Sequence, residues 1–391
     1  MRDFDLVVFG ATGFTGRLVA EYIAARKPNA WAIAGRNRDK LAALGLGAPI
    51  VVCDSKDPAS CAALAARTRV VCTTVGPYSL YGSELVAACA QAGTHYCDLT
   101  GEVHWMRAMI DAHHERARLT GARIVHTCGF DSIPSDLGTW ATQHEFAARF
   151  GHPASQVTAL FGETSGGFSG GTAASMFVLA DAMKDPAVRR VLRNPHALDP
   201  DPDAPHPHEN GHRPIGWQPE LRMFTAPFVM AATNAPVVRR AHALAGFPWG
   251  KDFAYREVMS TPGSARGLAM AVGITGALAG LAAAMKRPAL RALIRKRAPK
   301  PGEGPSEERR MHGHWKVRFV AEAGADRLIY VAADPAGDPG YRSTSKMLGE
   351  SALCLAYDEL DSPGGVQTPS VAMAEPLLAR LRAAGITFAP A

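Results

Sequence analysis

The sequence predicts an α/β protein: a doubly wound parallel sheet, then a second, mixed α/β domain, with carboxy-terminal helices packing back on the first. Three observations carry this reading. Over the first 130 residues, six short apolar runs alternate with stretches of helical period. The apolar runs show no polar alternation, as strands buried on both faces require. A glycine triplet falls at the first strand-to-helix turn.

The strands are expected at 5–10, 31–34, 50–53, 70–74, 95–97 and 123–126, with helices at 16–26, 59–67, 84–91 and 105–119 between them. After Asp131 the rhythm changes. A helix is expected at 135–149, a strand at 156–161 and a helix at 172–183, behind a glycine-rich loop running from Ser165 to Gly171. Residues 194–219, rich in Pro, Asp and His, read as an irregular surface excursion, and 298–310 as a charged connector. Strands at 315–321 and 327–333 and helices near 345–358 and 375–384 complete the chain. The resulting domains are 1–130, 131–340 and 341–391.

A chain of 391 residues with 47% hydrophobic and 20% charged residues excludes wholesale disorder and fibrous classes. The seven cysteines (53, 61, 72, 89, 97, 128 and 354) show neither C-x-x-C pairing nor metal-ligand spacing. They read as reduced core thiols of a cytoplasmic protein, and no catalytic metal is expected. The net charge of +6 is localised. Residues 286–310 hold nine Lys/Arg against three Glu, an excess that equals that of the whole chain. With no helix-turn-helix, zinc-finger or RNA-binding signature beside it, this patch points to an anionic surface or partner and not to nucleic acid.

Gly10-Ala11-Thr12-Gly13-Phe14-Thr15-Gly16 forms a strand end, a glycine turn and a helix start. Gly10 permits the tight turn, Gly13 lets backbone amides of the Thr12–Gly16 stretch approach a pyrophosphate, and Gly16 allows close helix-on-strand packing. The context is that of a Rossmann dinucleotide site. An NAD site expects Asp or Glu after the second strand. Here Gly35-Arg36-Asn37-Arg38 stands there, and Arg36 and Arg38 suit the 2′-phosphate of NADP(H). Asp54 and Ser55, at the end of the third strand, are expected near the adenine. Thr74, Gly76 and Pro77, at the end of the fourth, are expected where the ribose and nicotinamide pass.

These residues resemble the saccharopine dehydrogenase-like NADP-binding family, and most closely its trans-acting enoyl reductases. The similarity includes Gly10 to Gly16, Ala34-Gly35-Arg36, Val75-Gly76-Pro77-Tyr78, Gly93-Thr94-His95-Tyr96-Cys97-Asp98 and Gly129-Phe130-Asp131-Ser132-Ile133-Pro134-Ser135-Asp136. Asp338-Pro339-Gly340-Tyr341, Met347 and Glu350-Ser351-Ala352 extend it to the carboxy-terminal region. The resemblance implies an NADPH-dependent reductase that reduces a C=C bond in a lipid or polyketide acyl intermediate. Two other readings stay open: an imine reductase or amino-acid dehydrogenase of saccharopine type, and a non-catalytic NADPH-binding protein at a membrane.

The Tyr-x-x-x-Lys acid of short-chain reductases is absent, because Tyr341 and Lys346 are one residue too far apart. Tyr78 is therefore the first choice as proton donor, with Tyr81 and Ser132 also near, and Asp131 orienting them or a water. The structural alternatives are an aromatic packed on the cofactor for Tyr78 and a helix cap for Asp131. The glycine loop from Ser165 suits a thioester carbonyl or a phosphopantetheine phosphate, or simply tight packing.

Residues 267–285 contain no charge, and at 1.5 Å per residue their helix nearly matches a bilayer core. They read as a buried packing helix, a lipid-facing or tunnel-lining helix, or a span; Gly276 and Gly280 would let another helix approach. The expected partners are a hydrophobic acyl or polyketide substrate, an acyl-carrier protein or an anionic membrane surface, and a second copy of the chain as a homodimer. Peripheral attachment to the inner face of the plasma membrane is the matching location.

Overall fold

The computed structural model describes residues 2–164, 170–204, 214–298 and 306–391. The amino-terminal domain runs β1 (Phe4–Phe9), α1 (Phe14–Arg26), β2 (Trp31–Gly35), α2 (Arg38–Ala42), β3 (Ile50–Val52) and α3 (Pro58–Arg67). It continues with β4 (Thr68–Thr73), α4 (Tyr78–Tyr81), α5 (Ser83–Ala92), β5 (His95–Cys97), α6 (Val103–Thr120) and β6 (Arg123–Val125). All six strands are parallel, in the order 3-2-1-4-5-6. The order reverses between β1 and β4, the crevice where doubly wound sheets bind ligands. The absence of polar alternation now has its reason. In β1, Leu6 and Val8 enter one hydrophobic core while Val7 and Phe9 enter the other, on the opposite face.

The second domain opens with α7 (Ile133–Phe150), β7 (Gln156–Thr164), α8 (Gly170–Ala182), α9 (Pro186–Arg193), β8 (Gly216–Gln218) and β9 (Met223–Pro227). Then come α10 (Ala231–Leu244), β10 (Ala254–Thr261), α11 (Ala265–Met285), α12 (Pro288–Arg297), α13 (Glu307–Met311), β11 (Trp315–Ala323) and β12 (Asp326–Asp334). A π-helical turn, Pro339–Ser343, leads into α14 (Thr344–Tyr357), β13 (Gly365–Gln367), α15 (Pro369–Ala383) and β14 (Thr387–Pro390). The second sheet has the order β14-β12-β11-β7-β10-β9-β8. Its β7–β10 pair is parallel and its other pairs are antiparallel.

The carboxy-terminal segment does more than return two helices to the first domain. α14 lies so close to α1 that a β-carbon on Gly349 would meet the Tyr22 ring at 2.6 Å. The Tyr22 hydroxyl donates to Glu350 at 2.7 Å, which locks that crossing. In addition β13 extends the first sheet beside β6, and β14 extends the second beside β12. One segment therefore edges both sheets.

The expectation of a buried packing helix at 267–285 is corrected. α11 touches the body through Gly267 and Ala271, its only buried residues, while Leu268, Met270 and Val272 are exposed. The expected irregular stretch 194–219 includes β8 at its end. Residues 205–213 within it, and 165–169 of the expected glycine loop, lie outside the described residues. All seven cysteines are buried and none forms a disulfide.

Candidate active site

The turn after β1 has the geometry of a phosphate cradle. Gly10 adopts a φ of +89°, where a side chain is strained, and a β-carbon there would strike Val75 at 2.6 Å. At Gly16 a β-carbon would lie 2.1 Å from the Gly10 carbonyl oxygen, so α1 rests directly on the turn. Gly13 is different. A β-carbon there would meet only that same carbonyl, at 3.3 Å, and the residue is exposed. It is the N-cap of α1, with no side-chain cap, and no acidic residue stands in the first turn. The leading amides of Phe14 and Thr15 are thus available to an anion at the positive end of the helix. Thr12 is exposed beside Gly13, and Thr74 Oγ1 lies 3.4 Å from the Gly10 carbonyl, closing the cradle from β4. The Phe14 ring lies edge-on to Tyr341 at 5.0 Å and under the Arg310 guanidinium at 5.3 Å.

Arg36 and Arg38 are both exposed at the end of β2, and neither makes a hydrogen bond or ion pair among the described residues. Asn37 between them caps α2 by accepting from the Lys40 amide at 2.9 Å, which fixes the loop and leaves both guanidiniums to solvent. At the end of β3, the Asp54 carboxylate accepts from the Lys56 amide at 3.0 Å, and Ser55 is buried. Ser55 lines a cavity of about 300 Å³ with Lys56, Ser79, Leu80, Tyr81 and Ser83. Asp54 thereby holds the loop on which Ser55 sits. Gly76 is exposed and joined to buried Pro77 by a cis peptide bond at the end of β4. The cradle therefore fits a dinucleotide with an additional phosphate on its ribose.

The catalytic expectations divide. Tyr78 is buried, its ring stacked on Trp105 at 5.5 Å and its hydroxyl donating to the Thr73 carbonyl at 3.2 Å. Burial drives that phenol well above its ordinary pKa. Tyr78 thereby braces the turn after β4 from within the core. Ser132 is likewise turned inward, buried, with its hydroxyl donating to Asn234 Oδ1 at 2.9 Å. Asp131 is the one that meets solvent. It forms no hydrogen bond among the described residues, and α7 begins after it, at Ile133, so it is not a helix cap. Asp131 lies in the loop at the carboxyl end of β6, and desolvation by the protein around its carboxyl raises its pKa to about 6.

Residues that sequence reasoning did not single out hold this loop in place. Asp98, fully buried, accepts from Tyr96 Oη at 2.9 Å, from His126 Nδ1 at 2.8 Å and from the amides of Thr100 and Thr127 at 3.1 and 3.0 Å. One carboxylate thus ties the loop after β5 to the loop after β6. Glu102 accepts from the amides of Tyr78 and Ser79 at 2.7 and 3.0 Å, fixing the start of α4. Beneath Asp131, Ser132 leads through Asn234 to Glu257, which accepts from Asn234 Nδ2 at 3.0 Å and from Tyr255 Oη at 2.6 Å. Burial raises the Glu257 carboxyl to about 7. Asp98 lies inside a quoted motif, so position along the strand end was its signal; Asn234 and Glu257 come from elements the sequence did not reveal.

The second domain closes the crevice. Thr233 Oγ1 donates to the Gly101 carbonyl at 3.2 Å, joining α10 to the loop after β5. A row of aromatic rings runs from the residue before Asp131 toward the turn after β9. Phe130 meets Phe161 edge-on at 6.4 Å, and Phe161 stacks on half-buried Phe228 at 4.1 Å. Phe130 and Phe161 belong to the hydrophobic core, and Phe228 packs against it, so the row braces the loop that carries Asp131.

Comparison with known proteins agrees with this geometry. Residues 6–125 match the family model described as the saccharopine dehydrogenase NADP-binding domain. A protein of Mycobacterium tuberculosis named among the trans-acting enoyl reductases is 44% identical over 409 residues, covering 99% of this chain and 97% of that protein. The trans-acting enoyl reductase of Mycobacterium ulcerans is 40% identical over 407 residues, covering 98% and 97%. Among solved structures, the apo L-Glu-forming saccharopine dehydrogenase of Saccharomyces cerevisiae aligns over 99% of each chain with a TM-score of 0.54 at 11% identity. That last likeness concerns the fold alone.

Proposed function

Because the chain belongs to the trans-acting enoyl reductase family and carries an NADP-binding domain, we propose that it reduces the C=C bond of a hydrophobic acyl or polyketide intermediate held by a separate synthase. NADPH, when bound, supplies the hydride. The chain's own residues do the rest. The α1 amides behind Gly13 hold the pyrophosphate, and Arg36 and Arg38 hold the 2′-phosphate by charge-assisted contacts. Gly76 and Pro77 bound the path of the ribose and nicotinamide. Asp131, in its protonated form, gives the proton that the α-carbon takes up as the β-carbon receives hydride. The double bond is consumed, one hydride and one proton are added, and atoms balance. Ser132 positions Asp131 through its bond to Asn234 and is not itself a donor.

The observation that carries this reading is an exposed acid, Asp131, just past the carboxyl end of β6 in the dinucleotide sheet of a chain of this family. An acid with a pKa near 6 can donate to a carbon centre close to neutral pH. The test is NADPH oxidation with enoyl thioesters, cyclic imines and no added substrate, with mass spectrometry of the product. Saturated thioester is expected. The wild-type kcat/KM should fall as pH rises through about 6, as the donor loses its proton. Asp131→Asn should lower kcat by roughly 10²-fold or more and leave the NADPH Kd unchanged. Turnover of imines in preference to enoyl thioesters would favour the amino-acid dehydrogenase alternative.

A further inference from the structure

We propose that α11 and α12 form an arm that docks the protein on an anionic lipid bilayer without crossing it. The inference does not rest on the proposed reaction. α11 is 21 residues long with a mean hydropathy of 1.9 over its most apolar 18-residue window, and only 6% of that window is buried. Its large side chains are not confined to one stripe. At 100° per residue, Leu268 and Val272 face one side while Met270 and Leu281 face nearly the opposite one, and all four are exposed. Gly273, Gly276 and Gly280 would each have open space around an added β-carbon. A helix apolar on every side needs an apolar environment on every side. A second copy of the chain would cover one stripe and leave the other in water. A bilayer surface can take the whole projecting portion.

The charge pattern names the kind of bilayer. Residues 286–297 contain six Lys/Arg and no acid. Arg291 pairs with Asp181, and Arg295 lies 4.8 Å over the Phe177 ring, which fastens α12 to α8. Lys286, Arg287, Lys296 and Arg297 remain exposed, as do Leu290 and Leu293 on the same helix. Cations interleaved with exposed leucines directly after an apolar helix suit the headgroup region of an anionic leaflet.

Topology decides against a crossing. The chain leaves the second sheet at the end of β10 and returns to it at β11, and both strands pair with β7. A single span between them would put β10 and β11 on opposite sides of the membrane, which their shared neighbour forbids. The arm therefore enters and leaves from one face.

The test is flotation of the full chain with vesicles of phosphatidylcholine alone or with 30% phosphatidylglycerol added, as stated compositions for the assay, at 0.1 M and 1 M salt. We expect the chain to float with the anionic vesicles at low salt, and to be released as the Debye length falls from about 10 Å to about 3 Å. Lys296→Glu with Arg297→Glu should weaken partitioning by roughly fivefold or more per residue. Leu268→Glu with Val272→Glu should weaken it at 0.1 M salt. Both pairs sit on exposed positions, so circular dichroism and NADP+ binding should match the wild type. Met270→Trp should show a blue-shifted emission on adding anionic vesicles. Failure to float with either vesicle at 0.1 M salt would overturn the proposal. So would a dimer, seen by analytical ultracentrifugation without lipid, that the Leu268/Val272 pair converts to monomer; that result would assign the arm to a second copy. Capture of an acyl-carrier protein by the wild type but not by the Lys296/Arg297 pair, without vesicle binding, would overturn it in favour of the carrier.

Discussion

Gly13 and Gly16 lie one helical turn apart, yet a side chain added at each meets different neighbours. At Gly16 the nearest atom is a backbone oxygen at 2.1 Å, which cannot rotate away. Gly16→Ala should therefore push α1 off the turn and cost about 1–3 kcal/mol of stability, measured by chemical denaturation. At Gly13 the site is open, so Gly13→Val should leave the melting temperature near that of the wild type while abolishing NADPH binding, measured by calorimetry. A Gly13→Val chain that binds NADPH normally would place the cofactor elsewhere. Arg36 and Arg38 give the complementary test. Both are solvent-exposed and unpaired among the described residues, so replacing the two by Ala removes ligand contacts without disturbing the fold. NADPH affinity should fall by roughly 2–4 kcal/mol while NADH affinity barely moves. Equal wild-type affinity for the two cofactors would sink the assignment.

The elements that the sequence revealed most sharply are the strands buried on both faces. β5 was legible to its exact ends, and β1, β2 and β4 to within two residues, because continuous apolar runs leave little choice of face. β10 was not, because its register alternates Tyr255 and Glu257 inward, and a buried carboxylate breaks the apolar pattern that marks a strand. The same Glu257 explains why half of the site was illegible: its partners Asn234 and Tyr255 lie 23 and 2 residues away, and only folding brings α10 and β10 onto the residue after Asp131. β13, Gly365-Val366-Gln367, offers a single apolar residue between Gly and Gln and so carries no strand signal of its own. The buried Glu257 also makes a pH prediction. Its folded pKa is raised, from 4.5 to about 7, so its contribution to stability is fullest below pH 4.5 and is lost as pH rises toward 7. The shift corresponds to about 3 kcal/mol. Urea denaturation between pH 5 and 8 should show wild-type stability declining over that window through this group. Glu257→Gln should flatten that part of the slope. An unchanged slope in the variant would show that the carboxyl titrates elsewhere.

At the scale of the whole molecule, the carboxy-terminal segment decides whether two sheets behave as one body. β13 hydrogen-bonds to β6 in the first sheet, and β14, after α15, hydrogen-bonds to β12 in the second. Between them the Ser370 amide and hydroxyl donate to buried Asp136 at 2.7 and 2.6 Å, joining α15 to α7. A single hydrophobic core runs through these links, from Leu6 and Val70 of the first sheet to Phe161, Trp315 and Phe388 of the second. Neither sheet can open without exposing part of that core, so the two should unfold together. Cofactor binding makes this measurable. NADP+ held at the first sheet's carboxyl edge, as proposed, should stabilise the folded chain by about 2.7 kcal/mol at a concentration 100 times its Kd. If the sheets are coupled, hydrogen exchange at the amides of β11 and β12 should slow as much as at those of β1 and β4. Protection confined to β1 and β4 would mean that the second sheet opens independently. In that case the edge strands would hold the sheets side by side without making their stabilities one quantity.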